Sequence, residues 1–312
     1  MGAVIAPLLA LSLGATPLLL PADAGFDTVL VRPRDPFRDP VPPDGGEEIR
    51  LGYQLFTDTA KHAAPLTVNG VSCRNCHLNA GQKEGALPLV GVAAVYPQPN
   101  KRAGRPFSLE DRVIGCLLRS SDAANSPAKL GGGRHENAPA PLITADLKPV
   151  RALTAYLRWL SDGFPPGAAV PWRGKNEIAA AARLPLDKLD PKAGQALFEK
   201  TCVACHAIDG QGVPLGDFKP GPLWGPKSWN DGAGLARIYT MAGYLRLAMP
   251  YLAPGSLTDE EAQQLAAFLC SKPRPAFAEK GRDYLVEPLP PDAVYYPPRP
   301  SKKPAAPVKA TP

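Results

Sequence analysis

Cys73-Arg74-Asn75-Cys76-His77 and, 129 residues later, Cys202-Val203-Ala204-Cys205-His206 are the two stretches on which the fold turns. Thiols at i and i+3 can add to the two vinyl groups of a haem, and the histidine that follows can reach its iron, so Cys-x-x-Cys-His reads as c-type haem attachment. A zinc site needs further thiols or imidazoles at ligand spacing, and the remaining histidines are only His62 and His135. A thioredoxin-like pair needs a βαβ setting, and alternating strand patterns are nearly absent. The expected cofactors are two covalently bound haem c groups, on Cys73, Cys76 and His77 and on Cys202, Cys205 and His206.

Around each motif the sequence repeats itself. Gly52-x-x-Leu55-Phe56 precedes the first and Gly194-x-x-Leu197-Phe198 the second. Pro88-Leu89-Val90-Gly91 follows the first and Pro222-Leu223-Trp224-Gly225 the second. Each half closes on an apolar helical pattern, Leu153-x-Ala155-Tyr156-Leu157 and Leu265-x-Ala267-Phe268-Leu269. Asp190-Pro191 reads as an N-cap with proline at N1. Ser108 with Asp111 and Thr258 with Glu261 read as capping boxes. The order is helix, haem motif, loop, helix, helix, twice. The expected fold is mainly α, with two class I cytochrome c-like domains in tandem, residues 45–163 and 186–275, joined by a Pro/Gly-rich linker at 164–185.

The flanks read differently. Val4–Leu20 is almost wholly apolar and precedes Ala22-Asp23-Ala24, the pattern of a secretory signal over residues 1–24. Pro7 and Pro17 interrupt the run, and it falls short of the ~20 apolar residues of a spanning helix. Export to the periplasm fits covalent haem, and no membrane span is expected in the mature chain. Residues 276–312 are expected to form a Pro-rich strap and a basic tail. The 312 residues include 39 Pro and 29 Gly, too many breakers for one large bundle, and the 45% hydrophobic content excludes global disorder. A charge of +6, without basic runs interleaved with aromatics, gives no case for nucleic acid.

The sixth iron ligands follow in part from elimination. Residues 25–163 hold no methionine, which leaves Cys116, His62, His135 or a lysine for the first haem. In the second half Met249, just before Pro250, stands where a distal ligand is needed, whereas Met241 lies inside a helical pattern and reads as core. Cys116 sits on a helix predicted over Leu109–Ser120, with Arg112, Cys116 and Ser120 at i, i+4 and i+8 on one face. A cation one turn from a thiol favours the thiolate, the form that binds metal. Val113 and Leu117 can supply the core face without it. Two readings stay open on this pattern: a ligand or reactive thiol, and a buried small hydrophobe. Cys270, beside Phe268-Leu269, reads as buried.

These motifs, with Arg112-x-x-x-Cys116-x-x-Arg119-Ser120, Pro222-Leu223-Trp224-Gly225-x-x-Ser228-x-Asn230-x-Gly232-Ala233-Gly234, Met249-Pro250 and Arg274-Pro275, resemble the di-haem thiosulfate dehydrogenases from about Gly45 to Tyr296. The resemblance implies oxidation of two thiosulfates to tetrathionate at the first haem, with Cys116 as distal ligand and participant. It implies that Arg102, Arg112 and Ser120 bind the anion. It also implies that the second haem, with a Met or a neighbouring Lys as distal ligand, passes electrons out. Here Ala248 precedes Met249, so Lys-to-Met exchange is not expected. One segment departs from the family: Ser121-Asp122-Ala123 and an insert to Glu136 containing Gly131-Gly132-Gly133 stand where a Met-Asn-Gly-like turn is usual. The insert is expected near the distal side of the first haem.

The resulting expectation is an exported oxidoreductase with catalytic Cys116, Arg112, Ser120 and Arg102 and iron ligands His77, Cys116, His206 and Met249. Its partners are thiosulfate or a related sulfur oxyanion and an external acceptor such as a soluble cytochrome c. The alternative is an electron-transfer di-haem cytochrome with no substrate, which gives Arg112, Cys116 and Ser120 no role. A di-haem peroxidase needs acid–base residues that the first half barely offers.

Overall fold

The computed structural model describes residues 33–126, 131–132, 142–216, 218–286 and 288–298. The signal expected at 1–24, His135, most of the insert after Asp122 and the tail beyond 298 lie outside the described residues.

Helices of eleven or twelve residues frame two lobes: α1 Gly46–Thr57, α2 Leu109–Arg119 and α3 Lys148–Trp159, then α4 Pro191–Thr201, α5 Ile238–Ala248 and α6 Asp259–Cys270. The capping signals are where the sequence puts them. Ser108 Oγ accepts from Asp111 N at 3.1 Å and Asp111 returns the bond to Ser108 N at 3.0 Å, opening α2. Thr258 and Glu261 do the same for α6, and Asp190 accepts from Lys192 N at the start of α4. Strand is minor: Gln98–Asn100 pairs antiparallel with Arg105–Phe107, and Gly131–Gly132 pairs parallel with Leu142–Ile143.

Each lobe is built on one helix crossing, α1 on α3 and α4 on α6. Glycine makes the approach possible. A methyl on Gly52 would run into the Ala152 carbonyl and stand 2.8 Å from Tyr156 Cβ; one on Gly194 would run into the Gln264 carbonyl and stand 2.8 Å from Phe268 Cβ. Leu55, Phe56, Leu117, Leu153 and Tyr156 fill the first core, and Phe198, Met241, Leu265 and Phe268 the second. The loop after each haem motif is pinned alike: Leu89 N donates to Gly81 O at 2.7 Å, and Leu223 N to Gly210 O at 2.8 Å.

The lobes are not beads on a string. Leu78 and Ala86, which follow the first haem motif, are buried in the second core, while Phe277, from beyond α6, is buried in the first. The segment expected as a linker is fastened too: Ile178 is buried in the second core, and Asn176 Nδ2 donates to Gly85 O at 2.6 Å. The Ser228–Gly232 stretch is the clasp. Asn230 N donates to Arg119 O at 3.1 Å, and Asn230 Nδ2 donates to Leu118 O at 2.9 Å and to Asp122 Oδ1 at 2.7 Å. From the first lobe, Asn69 Nδ2 answers on Ser228 O at 3.0 Å. The strap locks this seam through buried Asp283, which accepts from Arg119 Nη2 at 2.8 Å and from Tyr296 Oη at 2.5 Å.

Candidate active site

In the first lobe a short turn carries the haem motif. Residues Cys73–Asn75 form one 3₁₀ turn, closed by Ser72 N donating to Asn75 Oδ1 at 2.8 Å, and Thr59 N holds Ser72 Oγ at 2.9 Å. A helical turn puts both thiols on one side. His77 Nδ1 lies 2.6 Å from Leu87 O, so this nitrogen carries the proton and Nε2 is left as the ligating atom. Burial pushes His77 down to about 4, so the imidazole is neutral, as an iron ligand must be.

The second lobe repeats this. Cys202 caps α4, and His206 ends the short helix Val203–His206. The His206 Nδ1 is buried without a hydrogen-bond partner of normal geometry, although the Pro220 carbonyl faces it. Burial lowers the affinity of His206 for a proton. All six cysteines are free thiols. Among the described residues no three His, Cys, Asp or Glu side chains gather as a metal site. Unpaired thiols one turn apart, each beside a neutral histidine with Nε2 available, fit covalent haem and not zinc.

Cys116 and Arg112 face the first motif. Cys116 is half-buried on α2, and Arg112, one turn earlier, stays exposed. Cys116 is the main cause of the raised proton affinity of Arg112. Cys116 also adds to burial in pushing Cys73 and Cys76 up to about 12, and Arg112 adds to the lowering of His77. One crevice therefore holds the Cys116 thiol, the Arg112 cation and the haem-attachment residues. In the second lobe Met241 is 2% exposed in the core, and Met249 is the half-buried extended residue that caps α5. Cys270 is buried, its thiol pushed up to about 12 by desolvation.

Ser120 caps α2 one turn beyond Cys116; its amide donates to Cys116 O at 2.7 Å and its carbonyl accepts from Asn69 Nδ2 at 2.9 Å. Arg102 is elsewhere. Its guanidinium donates to Gly232 O, lies 3.8 Å from Asp283 and sits over the Tyr284 ring. The structure thus engages Arg102 as a half-buried tie between the lobes and the strap and does not bring it to Cys116 and Arg112. Two groups the sequence did not single out stand nearer. Burial raises Tyr96, with Arg112 and Cys116 both acting on its phenol, and Arg173 of the linker reaches the same corner by donating to Gln98 Oε1. A tyrosine ahead of Pro97 and an arginine in a Pro/Gly-rich linker carry no local signal of that placement.

Residues 60–165 match the SoxA/TsdA cytochrome c domain family, and residues 189–269 match the family of cytochrome c oxidase, cbb3-type, subunit III. The thiosulfate dehydrogenase of Allochromatium vinosum is 36% identical over 249 residues, covering 77% of this chain and 84% of its own. That of Stutzerimonas stutzeri is 36% identical over 231 residues, 74% of this chain and 68% of its own. The chain belongs to the thiosulfate dehydrogenase family. Family members include the solved thiosulfate dehydrogenase (TsdBA) of Marichromatium purpuratum, to which this fold is similar with a TM-score of 0.67 at 31% identity. The likeness covers 78% of this chain and spans about half of that one, 49%. As a thiosulfate dehydrogenase-like oxidoreductase with two cytochrome c domains, the protein carries two covalent haem c groups.

Proposed function

We propose that this protein oxidises thiosulfate to tetrathionate in the first lobe and passes the electrons through the second to an external acceptor, such as a soluble cytochrome c, after export to the periplasm. The observation that carries the reading is the Cys116–Arg112 pair in the crevice of Cys73, Cys76 and His77. Export rests on the apolar leader at Val4–Leu20. Among the described residues no helix is long and apolar enough to cross a membrane.

Two thiosulfate dianions become one tetrathionate dianion when a sulfur–sulfur bond forms and two electrons leave. Bound haem c supplies one-electron acceptors, and two of them match that count. The chain's own residues supply binding and position. Arg112 offsets the charge of the arriving dianion. Cys116 either serves as distal iron ligand or forms a transient S–S bond to the terminal sulfur of one thiosulfate. In the second case the two electrons leave with that bond, and a second thiosulfate then displaces the thiolate and carries off tetrathionate. Ser120, at the end of the same helix, is assigned to orient the oxyanion. Met249 is assigned as the distal ligand of the second haem; Ala248 before it offers no competing donor.

The test is turnover of holoprotein with thiosulfate and ferricyanide, with tetrathionate identified as product. No tetrathionate from a fully haem-loaded protein overturns the reading. Arg112→Ala should raise KM with less effect on kcat, by the loss of a charge-assisted contact worth about 1.5–3 kcal/mol, roughly 10- to 150-fold.

A further inference from the structure

The iron-ligating histidine of the first lobe is aimed from outside that lobe. His77 Nδ1 lies 2.6 Å from Leu87 O, and Leu87 packs against the second core, in which its neighbour Ala86 is wholly buried. Leu87 stands at φ 51°, a left-handed conformation that a leucine keeps only where its surroundings impose it. Two contacts hold the turn that leads into it. Gly85 lies so near α5 that a methyl on it would stand 2.7 Å from Leu247 O. Asn176, from the segment joining the lobes, fills the corner: Nδ2 donates to Gly85 O at 2.6 Å and to Gly243 O of α5 at 3.3 Å.

Asn176 is itself clamped. A methyl on Gly243 would fall 1.6 Å from Asn176 O, so the backbone of the joining segment rests directly on α5. Arg246 Nη2 donates to Lys175 O, one residue earlier, at 2.9 Å, and Arg246 is paired with Asp259 at 3.0 Å. Two residues later Ile178 is buried in the second core. The Asn176 amide therefore ties the turn that ends in Leu87 to the helix that ends at Met249. A carbonyl that accepts from the Nδ1–H of a metal-bound histidine fixes the ring and makes its other nitrogen a stronger donor. Such outer hydrogen bonds are among the levers that set the potential of a haem iron.

We propose that Asn176 is a positioning residue for the first haem's iron ligand. By fastening Gly85 to α5 it holds the Leu87 carbonyl on His77 Nδ1, and so sets how strongly His77 donates to the iron. A stronger donor favours the ferric state, so Asn176 holds the first haem's potential down. The inference rests on haem at Cys73 and Cys76 and stands whether or not thiosulfate is the substrate.

Two readouts on haem-loaded protein test this: deuterium exchange of the His77 Nδ1 proton, followed by NMR in the reduced state, and spectroelectrochemical titration of both haems. Asn176→Leu keeps the bulk and deletes both N–H groups without adding charge. Exchange at His77 should quicken about tenfold as the loop opens more often. The first haem's reduced-to-oxidised ratio should rise about threefold, about 28 mV for one electron at roughly 59 mV per tenfold. The second haem's wave, identified as the one displaced by Met249→Ala and not by Cys116→Gly, should stay in place, which a general loosening of the fold would not give. Unchanged exchange, an unmoved first wave or equal shifts of both waves each overturn the proposal. If Asn176→Leu does not take up both haems, Asn176→Ala is read by the same measures.

Discussion

The two lobes are the same frame carrying different instruments. α1 crosses α3 at Gly52 as α4 crosses α6 at Gly194, and Tyr156 and Phe268 occupy matching places beside them. α2 and α5 are both eleven residues long. They part in where the candidate ligand stands. In the first lobe Cys116 lies within its helix, with Arg112 one turn back; in the second Met249 lies just past its helix, which is mostly apolar and whose one charge, Arg246, is paired with Asp259 at 3.0 Å. A ligand within a helix shares its crevice with charged neighbours at i−4 and i+4. A ligand beyond the helix end leaves the helix free to be core. The first arrangement suits a site that holds an anion; the second suits one that only passes electrons.

The sharpest way to break this contrast is Cys116→Gly. It should cut thiosulfate turnover by roughly 10³-fold or more, the scale of losing a covalent or ligating group. It should also remove a thiolate-type low-spin electron paramagnetic resonance signal while the second haem still reduces. Turnover and spectrum both intact would make Cys116 an ordinary buried thiol and the protein an electron carrier. Met249→Ala is the converse. The near-infrared sulfur-to-iron band should vanish, and the second haem's reduced-to-oxidised ratio should fall on the order of 10²-fold, since methionine ligation raises the potential. A band that survives this change transfers the assignment to Met241.

The shared frame can be tested at its crossings. Gly52→Ala and Gly194→Ala should each cost about 3 kcal/mol or somewhat more, because the methyl meets backbone and not a yielding side chain. Thermal unfolding of the two variants should show comparable losses; a mild effect at one site alone would mean that the crossings are not equivalent. The smallest effect is expected at the capping boxes. Ser108→Ala and Thr258→Ala should each cost about 1 kcal/mol in denaturant unfolding. Only Ser108→Ala, at the root of the helix carrying Arg112 and Cys116, should also raise KM.

How much of this was legible in the sequence depends on distance along the chain. The haem motifs, the glycine crossings and the three caps are local patterns, each written within a few residues, and the helices begin where those patterns put them. The helix that carries Arg112 and Cys116 was legible for the same reason. Arg102 was not. Its placement is decided by the Gly232 carbonyl, 130 residues away, and by Asp283 on the strap. Tyr96 and Arg173 gain their positions from the way the linker folds back, which no periodicity encodes. Asn230 was visible as part of a recurrent motif, but its task of bonding Leu118 and Asp122 across the seam emerges only once both lobes are folded.

The interleaved cores bear on how such a protein is made. Leu78 and Ala86 follow the first haem motif directly, and both are sealed inside the second lobe. Phe277 seats in the first core and the clasp at Asn230 closes the seam beside it. Neither lobe can therefore complete its core alone: the first lends Leu78 and Ala86 to the second, and the segment beyond the second returns Phe277 to the first.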